Sequence, residues 1–205
     1  VAPRPLVACI GDSITAGSPL WEPNPVLRVE LGEAADEHSQ WEWWAERFAP
    51  GLAFRNHGVN GERTEQIAAR LPDALDGADG LVVQGGINDV VHRRSIDDAA
   101  RNLAGMVEEG LRRGLVVALA DVLPWNNGYE GAAALILRLN ELVHAVAADL
   151  GVPLLPFHDT LVDPERPERM PAELTDDGNH PSVEGHRLLG QRVGPLLEAA
   201  FAATA

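Results

Sequence analysis

The chain has 205 residues, of which 45% are hydrophobic and 23% charged, with sixteen basic against thirty-one acidic side chains and a formal charge of −15. That balance is ordinary for one globular domain, and its sign opposes nucleic acid and anionic membranes, both of which need clustered Lys or Arg. No apolar stretch approaches the ~20 residues that span a bilayer, so a small neutral or cationic molecule is the expected partner.

In chain order, Leu6–Ile10 reads as a first buried strand, and it encloses Cys9. A lone cysteine excludes an intrachain disulfide and reads as a buried thiol. A start at Val1 rather than methionine is expected of a trimmed or processed chain, one that has lost a signal peptide included. Ser18–Gln40 carries three prolines, Trp21 and no clear periodicity, and it reads as an irregular loop insertion. Gln40–Phe48 reads as a helix with Trp43 or Trp44 in the core, while Trp21 and Trp41 sit in or beside the loop. A weak strand at Leu52–Phe54 leads into Arg55-Asn56, and further strands are expected at Leu81–Val83, Leu115–Val122 and Val152–Phe157.

Helix-period stripes separate these runs. Asp97–Arg113 places Ala100, Leu103, Ala104, Val107 and Leu111 on one face, and Ala132–Leu150 repeats the pattern with Leu135, Leu139, Leu142, Val143 and Val146. Asp163–Glu173 is a second Pro- and charge-rich loop. Val183–Phe201 makes the last helix, with Ser182 as its N-cap. Strands alternating with helices predict an α/β fold with a parallel sheet covered on both faces. No linker divides the chain, so residues 1–205 are expected to form one domain with an insertion at about 18–40.

Four short segments carry chemistry: Gly11-Asp12-Ser13, Asn56-His57-Gly58-Val59-Asn60-Gly61, Gly85-Gly86-Ile87-Asn88-Asp89 and Asp177-Gly178-Asn179-His180. The first three follow predicted strands and the fourth precedes the last helix, where ligand crevices of open parallel sheets form. A serine hydroxyl is inert near neutral pH and needs a base, an orienting acid and an oxyanion site. His180 can take the Ser13 proton and return it to a leaving group, a task suited to an imidazole. Asp177, three residues earlier, can fix the tautomer. Backbone N–H groups of Ser13 and Gly61 and the neutral side-chain amide of Asn88 can form an oxyanion hole. Taken singly, Ser13 could be a helix cap and Asn88 or Asn56 a turn residue; it is their joint order that argues for a serine hydrolase.

These segments resemble the four blocks of the SGNH hydrolases, the GDSL esterase/lipase family, from about residue 6 to the last helix. The resemblance implies a three-layer α/β/α sandwich with a flavodoxin-like five-stranded parallel sheet, and ester hydrolysis through an acyl-enzyme without metal or organic cofactor. It carries the nucleophile to Ser13, the oxyanion donors to Gly61 and Asn88, the base to His180 and its partner to Asp177. Gly-x-Ser-x-Gly, the α/β-hydrolase elbow, is absent because Thr15 fills its last position. Trp21 and Trp125 are candidates to line the acyl or alcohol pocket of a small soluble ester, short-chain, aryl or O-acetylated carbohydrate. Among the other histidines, His57 and His158 could border the site, while His144 reads as a surface or packing residue and His186, on the last helix, as structural. Two other readings stay open. One is a metal-dependent phosphoesterase using Asp12, Asn88, Asp89, His180 and His186. The other is a non-catalytic ligand-binding module on the same fold.

Overall fold

The computed structural model describes residues 3–31 and 36–204. Strand β1 (Leu6–Gly11) runs into a one-turn helix α1 (Ser13–Ala16), followed by α2 (Pro25–Leu31), a 3-10 turn at Glu37–Ser39 and α3 (Trp41–Phe48). β2 (Ala53–Gly58), the short α4 (Thr64–Ala69) and α5 (Leu71–Ala74), and β3 (Gly80–Val83) come next. Then α6 (Ile87–Val91) and α7 (Ile96–Arg112) lead to β4 (Val116–Ala120), and α8 (Ala132–Leu150) to β5 (Leu154–Leu155). α9 (Phe157–Leu161), a 3-10 turn at Ala172–Leu174 and α10 (Val183–Thr204) complete the chain.

All neighbouring strands are parallel, in the order β2-β1-β3-β4-β5. This is the flavodoxin-like order, whose direction of winding reverses between β1 and β3. Strand alternation divides the apolar side chains between two faces. Ile10, Leu81, Val83, Val117 and Leu119 pack against Ile67, Leu71, Leu103, Met106, Leu139 and Val143, from α4, α5, α7 and α8. Val7, Cys9, Val82, Ala118, Ala120 and Leu155 pack against Trp41, Phe157, Leu189 and Val193, from α3, α9 and α10. The result is the expected three-layer sandwich. The long helices have local reasons to form: Ser95 caps α7 by accepting the Asp98 N–H at 3.2 Å, with Asp97 and Asp98 in its first turn and Arg112 in its last.

Several sequence expectations need correction. The second strand continues to Gly58, so Asn56 and His57 lie within β2 rather than after it. β2 is an edge strand, where polar side chains are tolerated. The fifth strand shrinks to Leu154–Leu155 because Pro153 and Pro156 flank it and cannot donate to a ladder. Phe157 and His158 therefore belong to α9. The core tryptophan of α3 is Trp41, which is fully buried and edge-on to Phe157 at 5.6 Å; Trp43 and Trp44 are half-buried. α3 begins at Trp41, so positions 41 and 45 share the face toward the sheet. The insertion is also less irregular than expected, since it contains α2 and the Glu37–Ser39 turn; its residues 32–35 lie outside the described residues.

Gly58 places the end of β2 directly against α1. A Cβ there would strike the backbone N and Cα of Ala16, and Asn56 Nδ2 donates to the Thr15 carbonyl at 2.7 Å across the same contact. Gly58→Ala is expected to lower unfolding free energy by about 1–3 kcal/mol through overpacking, read by urea denaturation. An unchanged midpoint would show that α1 gives way freely.

Candidate active site

Ser13 leaves the carboxyl end of β1 and Asn88 follows β3, on the two sides of the point where the winding reverses. β1 ends at Gly11, and Asp12 caps α1 by accepting the Ile14 N–H at 3.0 Å. Asp12 is therefore the cap, and Ser13 is the first helical residue with its hydroxyl free for other partners. Burial pushes the Asp12 carboxyl up to about 6, against the Ile14 N–H, a Gln84 hydrogen bond and the nearby His180. From the loop before α10, His180 Nε2 lies 3.0 Å from Ser13 Oγ, and His180 Nδ1 lies 2.8 Å from Asp177 Oδ2. Asp177 Oδ1 accepts the backbone N–H groups of Asn179 and His180, both at 2.8 Å. Partial burial favours the neutral Asp177 acid, but hydrogen bonds from the His180 ring and these two amides outweigh it and hold the carboxyl below its usual range.

The two further donors expected from the sequence lie on two other segments, and Gly61 is outside the residues that line the cavity shared by Ser13, Asn88 and His180. Gly61 turns the chain in the left-handed region at φ +77°, with open space where a side chain would be. Its N–H has no acceptor among the described residues. Asn88, in the first turn of α6, uses one amide hydrogen on the Glu62 carbonyl at 2.9 Å, which leaves the other available. Asp89 beside it is outside the residues lining that cavity and holds the first residue of α4, accepting the Thr64 N–H at 3.0 Å and the Thr64 hydroxyl at 2.9 Å.

Ser13, Asn88 and His180 open onto one cavity of about 210 Å³, walled by Ile14, Ile87, Val91, Trp125 and Asn179. Larger hollows exist, such as one of about 490 Å³ lined by Pro156, Asp159 and Arg192, but they hold no serine–histidine pair. Of the two tryptophans singled out from the sequence, only Trp125 reaches the cavity. Trp21 lies instead under Arg28, whose guanidinium carbon sits 3.9 Å from the ring centroid, because the insertion folds back on itself through α2.

The loop after β4 fastens the histidine loop, a role not read from the sequence. Trp125 Nε1 donates to Asn179 Oδ1, Asn127 Nδ2 to the Asp177 carbonyl at 2.6 Å, and the Asn126 N–H to the Gly178 carbonyl at 2.9 Å. The Asn126-Asn127-Gly128 turn signature was the available signal, but which loop it would meet is a tertiary matter. The remaining histidines are placed apart from the Ser13 cavity. His57 Nε2 is buried with no hydrogen-bond partner among the described residues, and burial together with Arg55 and Arg70 lowers its pKa. His144 is exposed, as a surface residue, and its Nε2 lies 2.9 Å from Asp121 Oδ2, while the His158 backbone N–H donates to the other oxygen at 2.8 Å.

His186 is fully buried in α10, and burial, then the nearby His180, push it down to about 3. The fold thus prefers its neutral form. The stabilisation is complete above the ordinary histidine value and is lost as pH falls toward 3, by about 3 kcal/mol between pH 7 and pH 4. His186→Met is expected to flatten that acid limb in urea denaturation profiles; an identical profile would remove the assignment.

Among the described residues, no group of three His, Cys, Asp or Glu side chains is arranged to hold a metal ion. The donors considered for a phosphoesterase are dispersed: Asp12 caps α1, Asp89 is bonded to Thr64 at the start of α4, and His186 is sealed in the core. No helix among the described residues is long and apolar enough to cross a membrane.

No curated protein matches the sequence. Solved structures share the fold at low identity. A lipolytic protein of the G-D-S-L family from Desulfitobacterium hafniense DCB-2 superimposes with a TM-score of 0.77 at 20% identity, over 94% of this chain and 99% of that one. A GDSL-like lipase from Bacteroides thetaiotaomicron gives 0.74 at 22%, over 95% and 88%. A member of the lipolytic G-D-S-L family from Veillonella parvula gives 0.74 at 17%, over 93% and 96%. The model of the GDSL-like lipase/acylhydrolase family matches residues 9–188, from the first strand to beyond His180. The chain is therefore a member of the GDSL-like lipase/acylhydrolase family, a hydrolase whose fold supports acyl hydrolysis of the esterase or lipase type.

Proposed function

We propose that this protein hydrolyses small carboxylic esters through an acyl-enzyme on Ser13, within one catalytic domain that needs no cofactor. The observation that carries this reading is the unbroken relay from Ser13 Oγ to His180 Nε2 at 3.0 Å and from His180 Nδ1 to Asp177 Oδ2 at 2.8 Å. His180 removes the hydroxyl proton as Ser13 attacks the ester carbonyl. The ionised Asp177 holds the ring and stabilises the imidazolium. The oxyanion is received by the N–H groups of Ser13 and Gly61 and by the Asn88 amide. On collapse, His180 hands the proton to the departing alcohol. Water, deprotonated by the same ring, then attacks the acyl-serine and releases the acid. Because the base must be neutral, turnover is expected to fall on acidification.

The cavity favours short acyl or aryl groups, since its volume is small and its walls are Ile14, Ile87, Val91 and Trp125. Each methylene buried contributes about 0.8 kcal/mol, so kcat/KM should rise roughly fourfold per carbon from acetate toward butyrate and fall for long chains. Trp125→Ala is expected to shift the optimum to longer acyl groups; an unmoved chain-length profile would place Trp125 outside the substrate pocket. The reading as a whole is tested with a panel of p-nitrophenyl esters and acetylated sugars, with and without a serine-directed phosphonate. Phosphonate-sensitive turnover and a mass increase on the Ser13 peptide support it. Absence of Ser13-dependent release from every ester would leave a ligand-binding module as the better description.

A further inference from the structure

Arg70 closes the helical segment α4 at the carboxyl edge of the sheet, and its guanidinium addresses three separate stretches of chain. Nη2 donates to the Gly11 carbonyl at 2.7 Å, two residues before Ser13. Nη1 donates to the His57 carbonyl at 2.6 Å, at the end of β2. Nε donates to Glu62 Oε2 at 2.6 Å, and Glu62 directly follows Gly61. The Glu62 carbonyl in turn accepts the Asn88 amide at 2.9 Å. The side chains of Arg70 and Glu62 are only 23% and 17% exposed, so water competes weakly for this pair.

The consequence is geometric. Gly61 is the most permissive residue of its turn, and nothing packs where a side chain would sit; left alone, its N–H would sample many directions. The adjoining Glu62 is anchored at both ends, by its carboxylate to Arg70 and by its carbonyl to Asn88. The same guanidinium holds the strand end that delivers Ser13. Arg70 lies outside the residues lining the Ser13 cavity.

We propose that Arg70 is a positioning residue for the oxyanion site, acting through Glu62 to hold the Gly61 N–H and the Asn88 amide in register with Ser13. The inference rests on the reading of Gly61 and Asn88 as oxyanion donors. The three acceptors are reached from three different nitrogens of one planar fork, a spread that the compact tetrahedral ammonium of lysine does not match. Arg70→Lys should therefore lower kcat for p-nitrophenyl acetate about tenfold or more, with KM within about twofold, because small displacements of catalytic groups are costly. A structural role alone would slow catalysis by the same factor in any background. A role through Asn88 would not, so the deciding measurement is a double-mutant cycle.

In an Asn88→Ala background, the cost of Arg70→Lys in kcat is expected to be smaller than in the parent by about threefold or more, the remainder being its hold on the Gly61 N–H. Glu62→Gln keeps the shape while weakening the Arg70 link, and it serves the same cycle if Arg70→Lys does not fold; it should show the same sub-additivity. Equal losses in both backgrounds, or full kcat in the two single variants, would overturn the role of Arg70. Full activity of Asn88→Ala itself would instead overturn the oxyanion reading on which this one stands.

Discussion

Ser13→Ala is expected to lower ester turnover by about 10⁴–10⁶-fold, and adding His180→Ala to it should cost almost nothing more. The two side chains share one hydrogen bond of 3.0 Å, and on the proposed mechanism neither forms the acyl-enzyme without the other: the hydroxyl is inert unaided, and Ser13 is the side chain that the imidazole would activate. Residual catalysis should come from the donors and from substrate binding, and KM should change little. Asp177→Asn belongs to the same unit with a smaller loss, because Asp177 orients the ring through Oδ2 while its other oxygen holds the loop through two backbone amides. Burst kinetics and phosphonate labelling separate these effects. Additive losses of Ser13 and His180 would show that they do not act together.

Asn88→Ala is expected to lower kcat by about 10²–10³ with KM nearly unchanged, as loss of one preorganised donor does elsewhere. The amide is half committed to the Glu62 carbonyl, which fixes its plane, and Asn88 lines the cavity it shares with Ser13 with one N–H still available. Being neutral, on the proposed mechanism it would stabilise an oxyanion without opposing the protonation of His180 that accompanies attack. Asn88→Asp should be at least as damaging, since it replaces a donor by a negative charge. Phosphonylation of Ser13 should slow in parallel with kcat. A variant that kept full turnover would move the oxyanion site elsewhere.

Much of this architecture was legible in one dimension, and the reasons are local. The runs Leu6–Ile10, Leu81–Val83 and Leu115–Val122 are apolar on both alternating faces because their strands are covered on both sides, and β1, β3 and β4 lie where they indicated. The 3.6-residue stripes of α7 and α8 needed only a capping serine and flanking glycines to end correctly. The strands at the edges were harder to read. β2 carries Arg55, Asn56 and His57 because one of its sides has no strand neighbour, and β5 is clipped by two prolines. Trp41 was misplaced because three tryptophans in four positions fit any helical phase, and the phase is set by where α3 begins.

The sequence by itself determined the residue types and their order: a serine at a strand end, an asparagine after a glycine pair, a histidine three residues after an aspartate, and a winding pattern that brings strand ends to one edge. Only the tertiary structure decided which side chains meet. It chose Trp125 over Trp21 as a cavity wall, assigned Asp12 to the cap of α1 and Asp89 to Thr64, sealed His186 in the core, and joined Arg70 to Gly11, His57 and Glu62. Periodicity and capping are short-range and are written in neighbouring residues. A hydrogen bond between positions 13 and 180 depends on the packing of every layer between them.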